Sequence, residues 1–85
     1  MMLSETQINY TLQECVKDVL SNYFRNIGNE DPVDFYSVIL EEVERPMLEV
    51  LMDRTNCNQV QMANLLGIAR GTLRKKLMQY GLSKP

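Results

Sequence analysis

Four cations crowd the short stretch from Gly67 to Leu77, "GIARGTLRKKL": Arg70, Arg74, Lys75 and Lys76, with no acid among them. Guanidinium and ammonium groups at that density call for phosphate or carboxylate partners. A helix through the stretch puts Arg70 and Arg74, four residues apart, on one face. Leu73 and Leu77 share that spacing and supply a face to bury, which leaves Arg70, Thr72, Arg74, Lys75 and Lys76 pointing outward. An arginine near the start of such a helix can fork onto the O6 and N7 of a guanine. Thr72 and the unbonded amides of the first turn can take phosphate oxygens. Lys75 and Lys76 add charge toward a nucleic-acid backbone, which gives affinity without sequence information. Gly71 is a weak helix former, costing about 1 kcal/mol against alanine, and in a first turn it lets the backbone come close to a phosphate or base.

The chain as a whole is acidic, with formal net charge −2, and the total conceals where the charges lie. Residues 1–53 hold eleven Asp and Glu against Lys17, Arg25 and Arg45, whereas residues 54–85 hold six Lys and Arg and no acid. That asymmetry points the C-terminal third toward a polyanion, the alternative being a basic end that docks on an acidic protein. Catalysis has little to work with. The absence of histidine removes the commonest general base and the commonest metal ligand. Glu41, Glu42 and Glu44 occupy positions expected to face solvent, and no nucleophile–base pair is visible, so no catalytic residue, metal ligand or cofactor is assigned. Cys15 and Cys57 stand alone, without CxxC spacing, and are expected as reduced thiols. "MMLSETQINYT" has neither the basic start nor the apolar run of a signal peptide, and no other segment approaches a membrane span. The expected setting is the cytoplasm.

The elements that must position the cations are all helical. Thr11 is a candidate N-cap with Glu14 three residues on, as in a capping box. Leu12, Cys15, Val16, Val19, Leu20, Tyr23, Phe24 and Ile27 then keep the spacing of an amphipathic helix, and Gly28 suits a left-handed cap at its end. A second helix is expected over about 33–55, capped by Asp31, with Pro32 at its first position and Asp34 in its first turn. Phe35, Val38, Ile39, Val43, Met47, Val50 and Leu51 hold helical spacing across Pro46, which should kink the helix without dividing it. Tyr36, Leu40 and Leu48 widen this apolar surface beyond one stripe, and a surface so wide needs more than one neighbour. In 85 residues the simplest extra neighbour is a second copy, so Phe35, Val38, Ile39, Val43, Met47, Val50 and Leu51 are read as a dimer interface.

A third helix, about 59–66 with Asn58 as N-cap, and a fourth, about 70–79, follow. Counting Gln59 as the first residue, Ala63 is the fifth, Gly67 the ninth, Ile68 the tenth and Leu73 the fifteenth. Each type has a mechanical reason in a helix-turn-helix. Small Ala63 lets the next helix cross closely, Gly67 supplies the positive φ of a sharp turn, and Ile68, Leu73 and Leu77 bury the connection. Met62 and Leu66 face inward. The chain is therefore read as all-α, one domain in three parts: a flexible arm over 1–10, dimerisation helices over 11–55 and a helix-turn-helix over 56–85.

The run "NQVQMANLLGIARGTLRKKLMQYGL" resembles the C-terminal helix-turn-helix of the Fis family of bacterial nucleoid proteins, a motif that also closes the NtrC-type activators. "DFYSVILEEVERPMLEVLM" is similar to the family's long dimerisation helix with its internal proline, and "CVKDVLSNYF" to its first helix. The resemblance covers roughly Thr11 to Leu82. It implies a homodimer in which the first two helices of each chain interlock. Two recognition helices then meet consecutive major grooves at less than one relaxed turn of B-DNA, so that the duplex bends around an A/T-rich centre. Carried over position by position, Asn58, Gln59, Arg70, Thr72, Arg74, Lys75 and Lys76 match DNA-contacting positions, Arg70 and Lys75 among them reaching bases. Three departures stand out. Asn56-Cys57 replaces the family's usual Arg-Gly, near the surface that contacts RNA polymerase, Ala69 replaces a polar Asn, and Met78-Gln79 replace lysines. These imply weaker contacts to flanking DNA. The segment before Thr11 is shorter than the arm that stimulates DNA invertases. The function expected is DNA binding and bending as a nucleoid-associated transcriptional regulator. The alternatives are a protein-interaction module and the output domain of a larger activator.

Overall fold

The structure, a computed structural model, describes residues 10–83, and among these the chain forms four helices: α1 (Leu12–Ile27), α2 (Phe35–Thr55), α3 (Gln59–Leu66) and α4 (Arg70–Gln79). Apart from Tyr10, the arm expected over 1–10 lies outside the described residues, as does Lys84. No described helix is long and apolar enough to cross a membrane. Two compact units divide between Val33 and Asp34.

The first unit contains α1. Its start is the expected capping box: the Thr11 hydroxyl accepts the Glu14 N–H at 3.1 Å while the Glu14 carboxylate accepts the Thr11 N–H at 3.2 Å. Gly28 ends the helix with φ 68°, but its ψ of −124° is far from the left-handed helical cap expected there. Leu12, Val19 and Phe24 of α1 are exposed.

The second unit is α2, α3 and α4. Here α2 begins at Phe35, later than its sequence suggests, and Asp31 and Pro32 lie outside it. Asp34 adopts φ 53°, a left-handed conformation that a helix cannot run through and that Asp tolerates better than most residues. Asp34 thus takes the cap position without a side-chain hydrogen bond, rather than contributing charge to a first turn. Downstream, α2 runs unbroken through Pro46. The carbonyl of Glu42 that loses its donor there belongs to an exposed stretch, where water can satisfy it.

The turn from α2 into α3 is built on two left-handed residues, Asn56 (φ 52°) and Cys57 (φ 63°), with the Cys57 N–H donating to the Met52 carbonyl at 2.9 Å. A side chain at φ near +60° costs roughly 1–2 kcal/mol, part of which glycine would return as unfolded-state entropy. Cys57→Gly is therefore expected to stabilise the protein by about 0.5–1 kcal/mol, read as a higher urea midpoint at unchanged slope.

Asn58 caps α3, its side-chain oxygen accepting the Gln61 N–H at 3.1 Å. At the other end Gly67 (φ 72°, ψ 32°) sits in a Schellman turn, with Ile68 N–H donating to the Ala63 carbonyl at 3.1 Å and Gly67 N–H to that of Asn64 at 3.3 Å. The ninth-position glycine thus does what the spacing requires, turning the chain so that α4 packs back on α3.

Leu48, Met62, Ala63, Leu73, Leu77 and Tyr80 form the buried core of this unit, bordered by Leu51, Met52, Leu66, Ile68 and Leu82. Full burial of a leucine contributes roughly 1.5–3 kcal/mol, an upper bound because unfolded chains are partly collapsed. Leu48, expected to widen the apolar surface of α2, and Leu51, an interface candidate, both meet the core of this unit. Leu48 is fully buried at the centre of the core, and Leu51 packs on its edge. Both belong to a set, Glu44, Leu48, Leu51 and Thr55, whose spacing of four, three and four residues marks one helical face turned toward α3 and α4. Thr55, nearly buried, satisfies its hydroxyl on the Leu51 carbonyl at 2.7 Å. Of the remaining interface candidates, Phe35 and Ile39 are half-buried, and Val38, Val43, Met47 and Val50 are exposed.

Candidate nucleic-acid interface

On α4 the buried positions Leu73, Leu77 and Tyr80, at steps of four and three, hold one side of the helix against the core. The other sides of the helix carry Gly71, Thr72, Arg74 and Lys75, all exposed, and Arg70 is exposed at its first position. Arg70, Gly71 and Arg74 line an open cleft of about 350 Å³ together with Gln59 from the first turn of α3. The structure brings these four sequence candidates together.

No acid occurs between Asn56 and Ser83, and Arg70, Arg74 and Lys75 have no carboxylate partner among the described residues. The start of α4 adds to the positive field. Its N-cap is Ala69, which makes no side-chain cap, so the first-turn amides are left for a partner from outside. The other helix of the pair differs, since Asn58 spends its side-chain oxygen on the cap of α3 and retains only its NH₂ end to meet a ligand. Gly71 has an ordinary helical φ, and a Cβ built on it would meet no atom within 4 Å. Nothing inside the protein therefore requires glycine there.

Lys76 does not point outward with the others. Its ammonium donates to the Glu44 carboxylate of α2 at 2.8 Å, and the two side chains are 28% and 12% exposed. The second Glu44 oxygen accepts the Tyr80 hydroxyl at 2.6 Å. Glu44 is accordingly not the solvent-facing acid that its position in "LEEVERP" suggests, while Glu41 and Glu42 are exposed as expected. Partial burial alone would raise the Glu44 carboxyl, but the hydrogen bonds from Lys76 and Tyr80 and the Lys76 charge outweigh it and hold it below the ordinary range. Conversely, donation to Glu44 pushes the Tyr80 phenol up to about 12. The Arg45 guanidinium lies 5.6 Å from the centre of the Tyr80 ring, within cation–π range. One signal in the sequence could have placed Lys76: the stripe Leu73, Leu77, Tyr80 has position 76 on its border, three residues from one member and four from another.

The chain is similar in sequence to known proteins over most of its length. The sequence model of the family described as "Bacterial regulatory protein, Fis family" matches residues 39–80, from mid-α2 to just beyond α4. The chain is 49% identical over 81 residues to the DNA-binding protein Fis of Actinobacillus succinogenes, covering 94% of this chain and 82% of that one. It is 47% identical over 76 residues to the protein of the same name from Glaesserella parasuis, covering 89% and 78%. A third relative so named, from Haemophilus influenzae, is 49% identical over 71 residues, covering 84% and 72%.

Proposed function

The chain belongs to the Fis family of bacterial regulatory proteins, and from that membership and the outer face of α4 we propose that it binds and bends double-stranded DNA as a homodimeric, nucleoid-associated transcriptional regulator. The observation that carries the reading is the set Arg70, Arg74 and Lys75, exposed beside an uncapped helix start and held there by a leucine face. Cations without internal partners, next to amides without internal acceptors, suit a phosphate backbone, and a forked arginine at the first helical position suits a guanine edge. An acidic protein surface could satisfy the charges but makes no use of Gly71. Open space over that residue favours the close approach of a duplex.

The homodimer is supported by α2. Tyr36, Leu40, Val43, Met47 and Val50 recur at steps of four, three, four and three, the spacing of a coiled-coil seam. Tyr36, Val43, Met47 and Val50 are 36–77% exposed in the single chain. This seam lies about a quarter of a helical turn from the face that α2 gives to α3 and α4, so one helix can serve both. Two copies joined there carry two recognition helices, and an A/T-rich centre between two half-sites is the duplex such a pair would bend most readily. RNA polymerase enters the proposal as a partner beside the turn at Asn56 and Cys57, which carry no charge. The nucleoid, in the cytoplasm, is the location that follows from duplex DNA as the ligand. Catalysis forms no part of this reading.

Salt dependence tests it. Three unpaired cations per chain give about six per dimer, so log K for duplex DNA is expected to fall with log salt at a slope of about −5, at a stoichiometry of two chains per site. A flat response, or one chain per site, would overturn the DNA or the dimer component respectively. Gly71→Ala separates helix stability from contact. It is expected to raise stability by up to about 1 kcal/mol while weakening duplex binding, measured as urea midpoint and Kd on one preparation. A stabilised variant that binds duplex DNA as tightly as wild type, or more tightly, would remove close approach at Gly71 from the reading.

A further inference from the structure

Lys76 and Glu44 are the one ion pair among the described residues, and they join the recognition helix to the helix proposed to carry the dimer seam. Lys76 of α4 and Tyr80, its C-cap residue, end on the two oxygens of this single α2 carboxylate at 2.8 and 2.6 Å. Arg45, the next residue of α2, lies over the ring of the same tyrosine. The apolar contacts around Leu48 would by themselves permit α4 to slide or roll slightly, since packing of leucines is non-directional. Hydrogen bonds to two separate carboxylate oxygens are directional and remove that freedom.

We propose that Glu44 is a positioning residue for DNA recognition: by holding Lys76 and Tyr80 it locks α4 onto α2, and so sets the distance between the two recognition helices of a dimer. The inference rests on the homodimeric DNA-binding reading above. It also reassigns Lys76, which acts as a structural cation and not as a phosphate ligand. In a protein whose target is two half-sites, a small rotation of α4 on α2 is doubled by symmetry and appears as a change in preferred half-site spacing. A residue that only stabilised the fold would change affinity at all spacings alike.

The test uses duplexes selected by the wild-type protein from a random pool, then remade with the centre one base pair shorter or longer. Wild type is expected to lose at least about tenfold in affinity at either altered spacing, an amount typical of one or two mismatched contacts. Glu44→Ala is expected to reduce that penalty to about threefold or less. Glu44→Gln, which keeps the shape and one acceptor oxygen but loses the second acceptor and the charge, is expected to fall between them and covers the case in which the alanine variant does not fold. Lys76→Met is expected to relax spacing in the same way and to leave the slope of log K against log salt unchanged. If Lys76→Met instead flattens the slope by about 2 per dimer and spacing selectivity is intact, Lys76 is a phosphate contact and the positioning role is wrong, while DNA binding stands. Failure of the wild type to bind any duplex sinks the underlying reading and with it the role in spacing. The lock itself is read without DNA, by NMR titration of the Tyr80 ring. In wild type the phenol is expected to stay protonated until about pH 12, and in Glu44→Ala to titrate nearer 10. Identical titration in both would show that the contact is not made in solution and would overturn the proposal.

Discussion

Leu48→Ala is expected to lower the unfolding free energy by about 2–5 kcal/mol. Leu48 is fully buried, and its neighbours Met62, Leu73 and Leu77 come from both helices of the helix-turn-helix. Removing its side chain opens a cavity where α2 supports α3 and α4. The unit is small, and domains of that size have only several kcal/mol to lose. The substitution should therefore leave α3 and α4 largely unsupported at ordinary temperatures. Val50→Ala is the control, because Val50 is 64% exposed in the single chain. An exposed valine is worth little to one chain, about 0.5 kcal/mol at most. Its cost should appear only as the protein is made more dilute, if α2 forms the dimer seam. Urea unfolding of both variants at two protein concentrations distinguishes the roles. A loss below about 1 kcal/mol for Leu48→Ala would mean that the helix-turn-helix does not depend on α2.

The elements written in local chemistry were legible, and those decided by tertiary packing were less so. Thr11 with Glu14, Asn58 and Gly67 each announce a helix boundary through hydrogen bonds made within a few residues, and α1 begins, and α3 begins and ends, where those residues place them. Asp31, Pro32 and Asp34 offer three plausible starts for α2, and a left-handed Asp34 decides among them in a way that no periodicity encodes. Along α2 the apolar positions cover more than half the circumference. Periodicity shows that such a helix has two partners but not which residues serve which. Hence nothing in the pattern marks Leu48 as the residue buried fully inside the chain, with Leu51 partly buried at the edge of the same core. Glu44 and Lys76 are thirty-two residues apart and each sits in a run of similar charges, so neither run marks the member that is paired. The outward direction of Arg74 and Lys75, by contrast, follows directly from Leu73 and Leu77, and Arg70 is exposed because it opens the helix.

Arg70→Ala is expected to weaken duplex binding by about 1–3 kcal/mol per contact, roughly 5- to 150-fold, and by up to twice that free energy when both protomers lose it. Stability should barely change, within about 0.5 kcal/mol, because Arg70 is exposed at the first position of α4 and has no internal partner. The loss should be concentrated at one position in each half-site, with the variant no longer distinguishing guanine there. Arg70→Lys sharpens the point. Lysine preserves the charge, so the salt slope should match that of wild type, but a single ammonium cannot fork onto O6 and N7, and the base preference should relax almost as far as in the alanine variant. The cleft that Arg70 shares with Gln59, Gly71 and Arg74 gives a reason for this division of labour. Gly71 opens the approach, Gln59 and Arg74 can take the phosphates that flank it, and Arg70 is placed at the helix start, where side chains reach furthest into a major groove. Binding-site selection with wild type and both variants, followed by Kd at two salt concentrations, measures all three quantities. If Arg70→Lys keeps the wild-type base preference, or if Arg70→Ala weakens every sequence equally while flattening the slope by about 2 per dimer, Arg70 meets the backbone, and base readout must come from Lys75, the other basic side chain on the exposed face of α4 for which a base contact was expected.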